Sequence, residues 1–172
     1  MAQRLQTLIS GTVGSSSPGL TVAGTPLAVA GGLDMVLARY IDAGTTVAGG
    51  GALCGGGTGA DSGVALALSG STVYVAGTYT SATAASIAGT ALNGAGLQDV
   101  FVAKYTDTGA GLSNGWAISG GGNNQDYVTD MAVQGTVVYA TGYYTSPSAV
   151  FAGQSLTRTG SYENMFVARY ED

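Results

Sequence analysis

The chain has 172 residues, of which 30 are glycine and 3 proline, and only 9% are charged where an ordinary domain carries about 25%. Its surface must therefore be built from Thr, Ser, Asn, Gly and Tyr, as expected of a secreted or cell-surface β-protein. Five basic residues and a formal charge of −5 exclude a stripe able to neutralise a phosphate backbone, so nucleic acid is not an expected partner. One cysteine and no histidine exclude an intramolecular disulfide framework and a zinc or haem cluster, and no metal or cofactor is expected.

In chain order, Met1 to Gln6 leads without an apolar run into the strand-like Thr7, Leu8, Ile9 and Ser10, so it does not read as a signal peptide. Apolar stretches are broken by Gly, Ser and Thr well before the roughly 20 residues of a spanning helix, so membrane insertion is not expected. A strand over residues 34–40 is followed by the turn Asp42-Ala43-Gly44 and a strand over 51–54. Residues 63–68 and 73–75 form two strands joined at Ser69-Gly70, a hairpin turn. A long polar connection, 80–98, in which Thr80 is expected to tolerate substitution, leads to a strand over 100–105 and, after Asp107-Thr108-Gly109, to one over 115–119. Strands over 128–133, 138–140 and 164–170 complete the chain.

These elements repeat. The segment Asp34-Met35-Val36-Leu37-Ala38-Arg39-Tyr40 returns 65 residues later as Asp99-Val100-Phe101-Val102-Ala103-Lys104-Tyr105, and after another 65 as Asn164-Met165-Phe166-Val167-Ala168-Arg169-Tyr170. Gly57, Asp61, Ala67 and Gly70 recur in the same register as Gly122, Asp126, Ala132 and Gly135. A weaker set, at 22–27, 87–92 and 151–156, slips by one residue, which suggests loops of free length. A fixed period means one structural unit stacked on its copies. Each unit reads as four antiparallel strands, and the third is apolar on both faces, Phe101, Ala103 and Tyr105 against Val100 and Val102, as for a sheet packed between two neighbours.

The order Val-Tyr-Val-Ala-Gly, Asp-Val-Phe-Val-Ala-Lys-Tyr, Trp-Ala-Ile-Ser-Gly-Gly-Gly, then Asp126 and a Met-Ala-Val strand resembles the SBBP repeats of bacterial β-propellers, and the hairpin resembles the NHL repeat. The resemblance spans Thr7 to Tyr170 and implies an all-β propeller, with the Val128 strand innermost in its blade and the Trp116 strand outermost. Two features depart from it: the connection between the second and third strands is long, and there are too few units to close a ring. The expected division is a partial blade at 1–62, a complete one at 63–127 and a partial one at 128–172. Unpaired edges and a bare blade face at each end favour head-to-tail association into a ring, a filament or part of a longer array. The contacts would come from Thr7, Leu8 and Ile9 at one end and Met165, Phe166 and Val167 at the other. A β-solenoid is the alternative fold.

Candidate chemistry is sparse. Gly56-Gly57-Thr58-Gly59-Ala60-Asp61 fits half of a calcium-binding nonapeptide, but its copy Gly121-Gly122-Asn123-Asn124-Gln125-Asp126 breaks the pattern, so Asp61 and Asp126 are read as turn caps. Gly-x-Gly-x-x-Ala at 55–60 lacks the following helix of a dinucleotide site. Cys54 aligns with Ser119 and has no base to activate it, and no catalytic residue is expected. Arg39, Lys104 and Arg169 share one repeat position, as an ion-paired strand end or as a ligand-binding ring. Tyr79, Tyr143, Tyr144 and Trp116 could stack on a glycan or a partner protein. The expected role is structural assembly, with glycan or protein binding as the alternative.

Overall fold

A computed structural model describes residues 5–14, 19–80 and 85–172, and every regular element among them is a β-strand. The chain begins with β1 (Leu5–Gly14), the short hairpin β2 (Thr21–Val22) and β3 (Thr25–Pro26), β4 (Leu33–Asp42) and β5 (Val47–Gly55). It continues through β6 (Asp61–Ser69), β7 (Thr72–Tyr79), the hairpin β8 (Ala85–Ile87) and β9 (Thr90–Leu92), β10 (Asp99–Asp107) and β11 (Leu112–Gly122). The last strands are β12 (Asp126–Gln134), β13 (Val137–Tyr144), the hairpin β14 (Ser148–Phe151) and β15 (Gln154–Thr157), and β16 (Asn164–Glu171).

Three antiparallel sheets organise the molecule, and none closes on itself. They run β1-β4-β5, then β6-β7-β10-β11, then β12-β13-β16, and β14 joins the free edge of β11 through Gly121 and Val150. All strand neighbours within these sheets are antiparallel. Bulges recur with the repeat, between Gly63 and Ala65 in one unit and between Val128 and Asp130 in the next.

The sheets stack face on face because strand alternation puts apolar residues on both sides of the third strand in each unit. Met35 and Leu37 of β4 pack with Val73, Val75, Phe101, Ala103 and Tyr105 to fill the first seam. Val100 and Val102, on the opposite face of β10, fill the second seam with Val138, Ala140, Phe166, Ala168 and Tyr170. Phe151 and Phe166 stack there with ring centres 3.9 Å apart.

The weakly repeated segments, expected as loops, are hairpins. Each turns on an Ala-Gly pair with both residues left-handed: Ala23 and Gly24 (φ 47° and 80°), Ala88 and Gly89 (50° and 75°), Ala152 and Gly153 (48° and 75°). That is the conformation that matches the twist of a two-residue hairpin. Strands this short carry too little periodicity to announce themselves. Residues 81–84 of the long connection lie outside the described residues.

The Gly that ends Tyr74-Val75-Ala76-Gly77, and its copy at the end of Tyr139-Ala140-Thr141-Gly142, is needed for close approach. A Cβ on Gly77 would run into the Ser62 carbonyl and the Phe101 ring, and one on Gly142 into the Tyr127 carbonyl and the Phe166 ring. In these two units the second strand can approach its neighbours only with hydrogen at this position, whereas at Gly11, the equivalent residue of β1, a Cβ would meet nothing.

Candidate functional site

Each seam is locked at one end by a cation from the earlier unit and a carboxylate from the later one. Arg39, 2% exposed, donates from Nε to both oxygens of Asp107 at 3.0 Å and from Nη2 to the Gly109 carbonyl at 2.8 Å. Asp107 itself accepts the Gly109 N–H at 2.8 Å, which shapes the turn. One unit on, Lys104 donates to Asp172, whose carboxylate also accepts from Trp116 Nε1 at 2.9 Å and Tyr74 OH at 2.8 Å. Burial opposes ionisation of Asp172, but the hydrogen bonds from Lys104, Trp116 and Tyr74 outweigh it and hold the carboxyl below its usual range. The shared position of Arg39 and Lys104 is therefore an ion-paired strand end.

The same two groups stand on the outward faces. Arg169 occupies the register of Arg39 and Lys104 on β16, half exposed, and among the described residues its ion-pair partner is the neighbouring Glu171 at 3.0 Å. Asp42 occupies the register of Asp107 and Asp172, and its Oδ1 accepts the Gly44 N–H at 2.7 Å as Asp107 does that of Gly109.

The face that carries Arg169 is apolar and open. Strand pairing aligns Tyr139 with Arg169, Thr141 with Val167 and Tyr143 with Met165, so all six side chains share one side of the sheet. Met165 is 79% exposed, Val167 71% and Tyr139 38%. A shallow concavity of about 370 Å³ lies among Asp130, Ala132, Tyr139, Thr141 and Val167. Tyr127 and Tyr143 pair at its far end, ring centres 4.9 Å apart.

The residues expected in an assembly interface divide by parity. Thr7 and Ile9 are exposed, on the outward side of β1, and Met165 and Val167 lie on the open face. Leu8 and Phe166 do not: Leu8 packs into the first seam and Phe166 is buried in the second, since successive strand residues point to opposite faces.

The four aromatics expected to bind ligand do not form one site. Tyr79 is 1% exposed and its hydroxyl donates to the Asn93 carbonyl. Tyr144 is 3% exposed, edge-on to Phe151. Both are core residues, which corrects the expectation that they reach a ligand. Trp116 is spent on Asp172 at the rim of the second seam, and Tyr143, half-buried against Tyr127, lies on the open face opposite Met165.

The remaining carboxylates are structural in their contacts. Asp61 accepts the Gly57 N–H at 2.7 Å and the Thr80 N–H at 3.1 Å; Asp126 accepts those of Gly122, Thr145 and Ser146 and the Ser146 hydroxyl. Thr80, expected to be indifferent, also donates its hydroxyl to the Ala60 carbonyl and accepts the Ala60 N–H, so it is part of the same turn. Asp34 and Asp99 accept backbone N–H groups through one oxygen each, while the other oxygen is buried without a hydrogen bond. Burial raises the Asp99 carboxyl above its usual range against the pull of Ala95 and Gly96, and the Asp126 charge raises it further.

Cys54 lies 3.8 Å from Asp34, and burial, followed by the Asp34 charge, pushes its thiol up to about 11, which disfavours the thiolate. No group of three or more metal-ligating side chains occurs among the described residues. The seam pairs escaped the sequence reading, although the spacing Asp42, Asp107, Asp172 against Arg39, Lys104, Arg169 held the signal. No protein-family model matches the chain, and comparison with curated proteins gives no significant match.

Proposed function

We propose that this chain is a non-catalytic structural module, a run of β-propeller-type blades of the SBBP kind, whose copies associate head to tail in the extracellular space or on a cell surface. The observation that carries the reading is the repetition of the seam. Two sheet-to-sheet contacts use the same cation, carboxylate and apolar positions, and the outward faces bear one half of that set each. A heterologous contact of this type makes a ring if its rotation closes and a filament if it does not. The low charge and the Gly- and Thr-rich composition support an extracellular setting. Sedimentation velocity over a micromolar concentration series tests the reading: concentration-dependent species larger than the 16.9 kDa chain are expected, and a folded monodisperse monomer throughout would overturn it.

A second reading, glycan or protein binding on the same open face, draws on the Tyr127–Tyr143 ring pair, since paired aromatic faces offer a stacking platform. A hit on a glycan array that Tyr143→Ala abolishes would favour it, and an array without hits would remove its glycan form.

A further inference from the structure

We infer that a second copy of this chain docks its β1-β4-β5 sheet on the open β12-β13-β16 face, with Arg169 of one copy seated on the turn at residues 42–44 of the next. This rests on the head-to-tail reading above and specifies its contact.

The internal seams serve as two worked copies of the junction. At the first, Met35, Leu37 and Arg39 face the later unit; at the second, Val100, Val102 and Lys104 do so, and all the apolar members are fully buried. Met165, Val167 and Arg169 repeat that triplet in the same strand register, yet Met165 and Val167 are largely exposed. On the receiving side, Phe101, Ala103, Tyr105 and Asp107 meet the first triplet, and Phe166, Ala168, Tyr170 and Asp172 the second. Val36, Ala38, Tyr40 and Asp42 repeat that set. Val36 and Ala38 are buried against Val22, Ala23 and Leu27 around the β2–β3 hairpin, as Phe101 and Ala103 share their core with Ile87 and Leu92 of β8–β9, so a second copy would add to a face that the hairpin already partly covers.

The second strand follows suit. Thr7 and Ile9 pair with Tyr40 and Ala38 as Val73 and Val75 pair with Tyr105 and Ala103, and Ile9 is 51% exposed. Charge complementarity selects the occupant. In both seams the cation of the earlier unit meets the carboxylate that opens an Asp-turn or ends the third strand of the later one, and a second copy supplies that carboxylate as Asp42. Arg169 loses little by leaving Glu171, because an exposed pair of this kind contributes almost nothing. It gains a carboxylate partly shielded from water, in a turn built like the one whose Gly109 carbonyl accepts from Arg39: Gly44 and Gly109 both have left-handed backbone and both donate their N–H to the turn's Asp.

The test is a charge exchange read by sedimentation. Arg169→Asp and Asp42→Arg are each expected to weaken self-association by about tenfold or more, because each juxtaposes like charges. Mixing the two variants, or combining them in one chain, is expected to restore it, since every junction then pairs opposite charges. Arg169→Gln and Asp42→Asn, the latter keeping an acceptor for Gly44, guard against a variant that simply misfolds, and both should weaken association to a smaller degree. If the parent chain associates but the single variants associate equally, or the mixture is not rescued, the contact named here is wrong while head-to-tail assembly survives. If the parent chain is monomeric throughout, assembly and contact fail together.

Discussion

At the scale of single residues, the least comfortable group is Asp99. Its carboxylate is 2% exposed, one oxygen has no hydrogen bond, and Asp126 lies close enough that a Cβ on Gly121 would meet both carboxylates. A carboxyl whose folded pKa is raised supports the fold below its unfolded value, and that support is lost as pH rises from there through the folded value. Asp172 has the opposite sign: its lowered pKa supports the fold above the unfolded value and is lost as pH falls through the folded one. Asp99→Asn keeps an acceptor for Ala95 and Gly96, removes the buried charge and turns an N–H₂ toward Asp126; the third repeat already has Asn164 here. The variant is expected to be more stable than the parent at pH 7, with the advantage shrinking toward pH 4, by urea unfolding. A loss of stability at pH 7 would mean that the charge on Asp99 is needed.

At the scale of elements, the inserted hairpins explain the tyrosines near the ends of β10 and β16. Tyr105 is 1% exposed and bonded to the backbone of Ala88; Tyr170 is 7% exposed and bonded to that of Ala152. Burial raises both phenols, and the backbone contact pulls them down. Each tyrosine thus pins the Ala-Gly turn of its own unit's hairpin, which fixes how far the hairpin reaches toward the preceding sheet, as in the Gly56–Ser86 bridge. Tyr105→Phe leaves a buried backbone group without its partner and is expected to cost about 1–3 kcal/mol. Tyr162→Phe, at a side chain 83% exposed, should be silent. Equal melting temperatures for the two variants would remove the hairpin-pinning role.

At the scale of the whole molecule, stability is approximately a sum of units and seams, as in other stacked repeats. Two adjacent residues separate folding from assembly. Phe166→Ala empties the second seam opposite Phe151 and is expected to cost about 3–5 kcal/mol. Met165→Ala, on the open face, should change the stability of the isolated chain by less than about 0.5 kcal/mol while weakening its self-association. Chemical denaturation at low concentration and sedimentation at high concentration check the pair. A large stability loss for Met165→Ala at low concentration would mean that the face is covered within the single chain.

The sequence by itself determined the 65-residue period, the places of the long strands and the double-faced third strand. Those are local properties: alternation, turn chemistry and spacing need no knowledge of what lies across the sheet. From Phe101 and Val100 alone it followed that the middle sheet is packed on both sides, and the two seam clusters contain those residues as separate cores. Tertiary structure alone decided the rest. Tyr143 and Tyr144 are neighbours of identical type, yet one faces the open side and the other is core, because a one-residue difference in register exchanges faces. The hairpins were hidden because their strands are only two to four residues long. Arg39 finds Asp107 across 68 positions of chain, a pairing set by how one sheet lands on the next, and no local pattern encodes that distance.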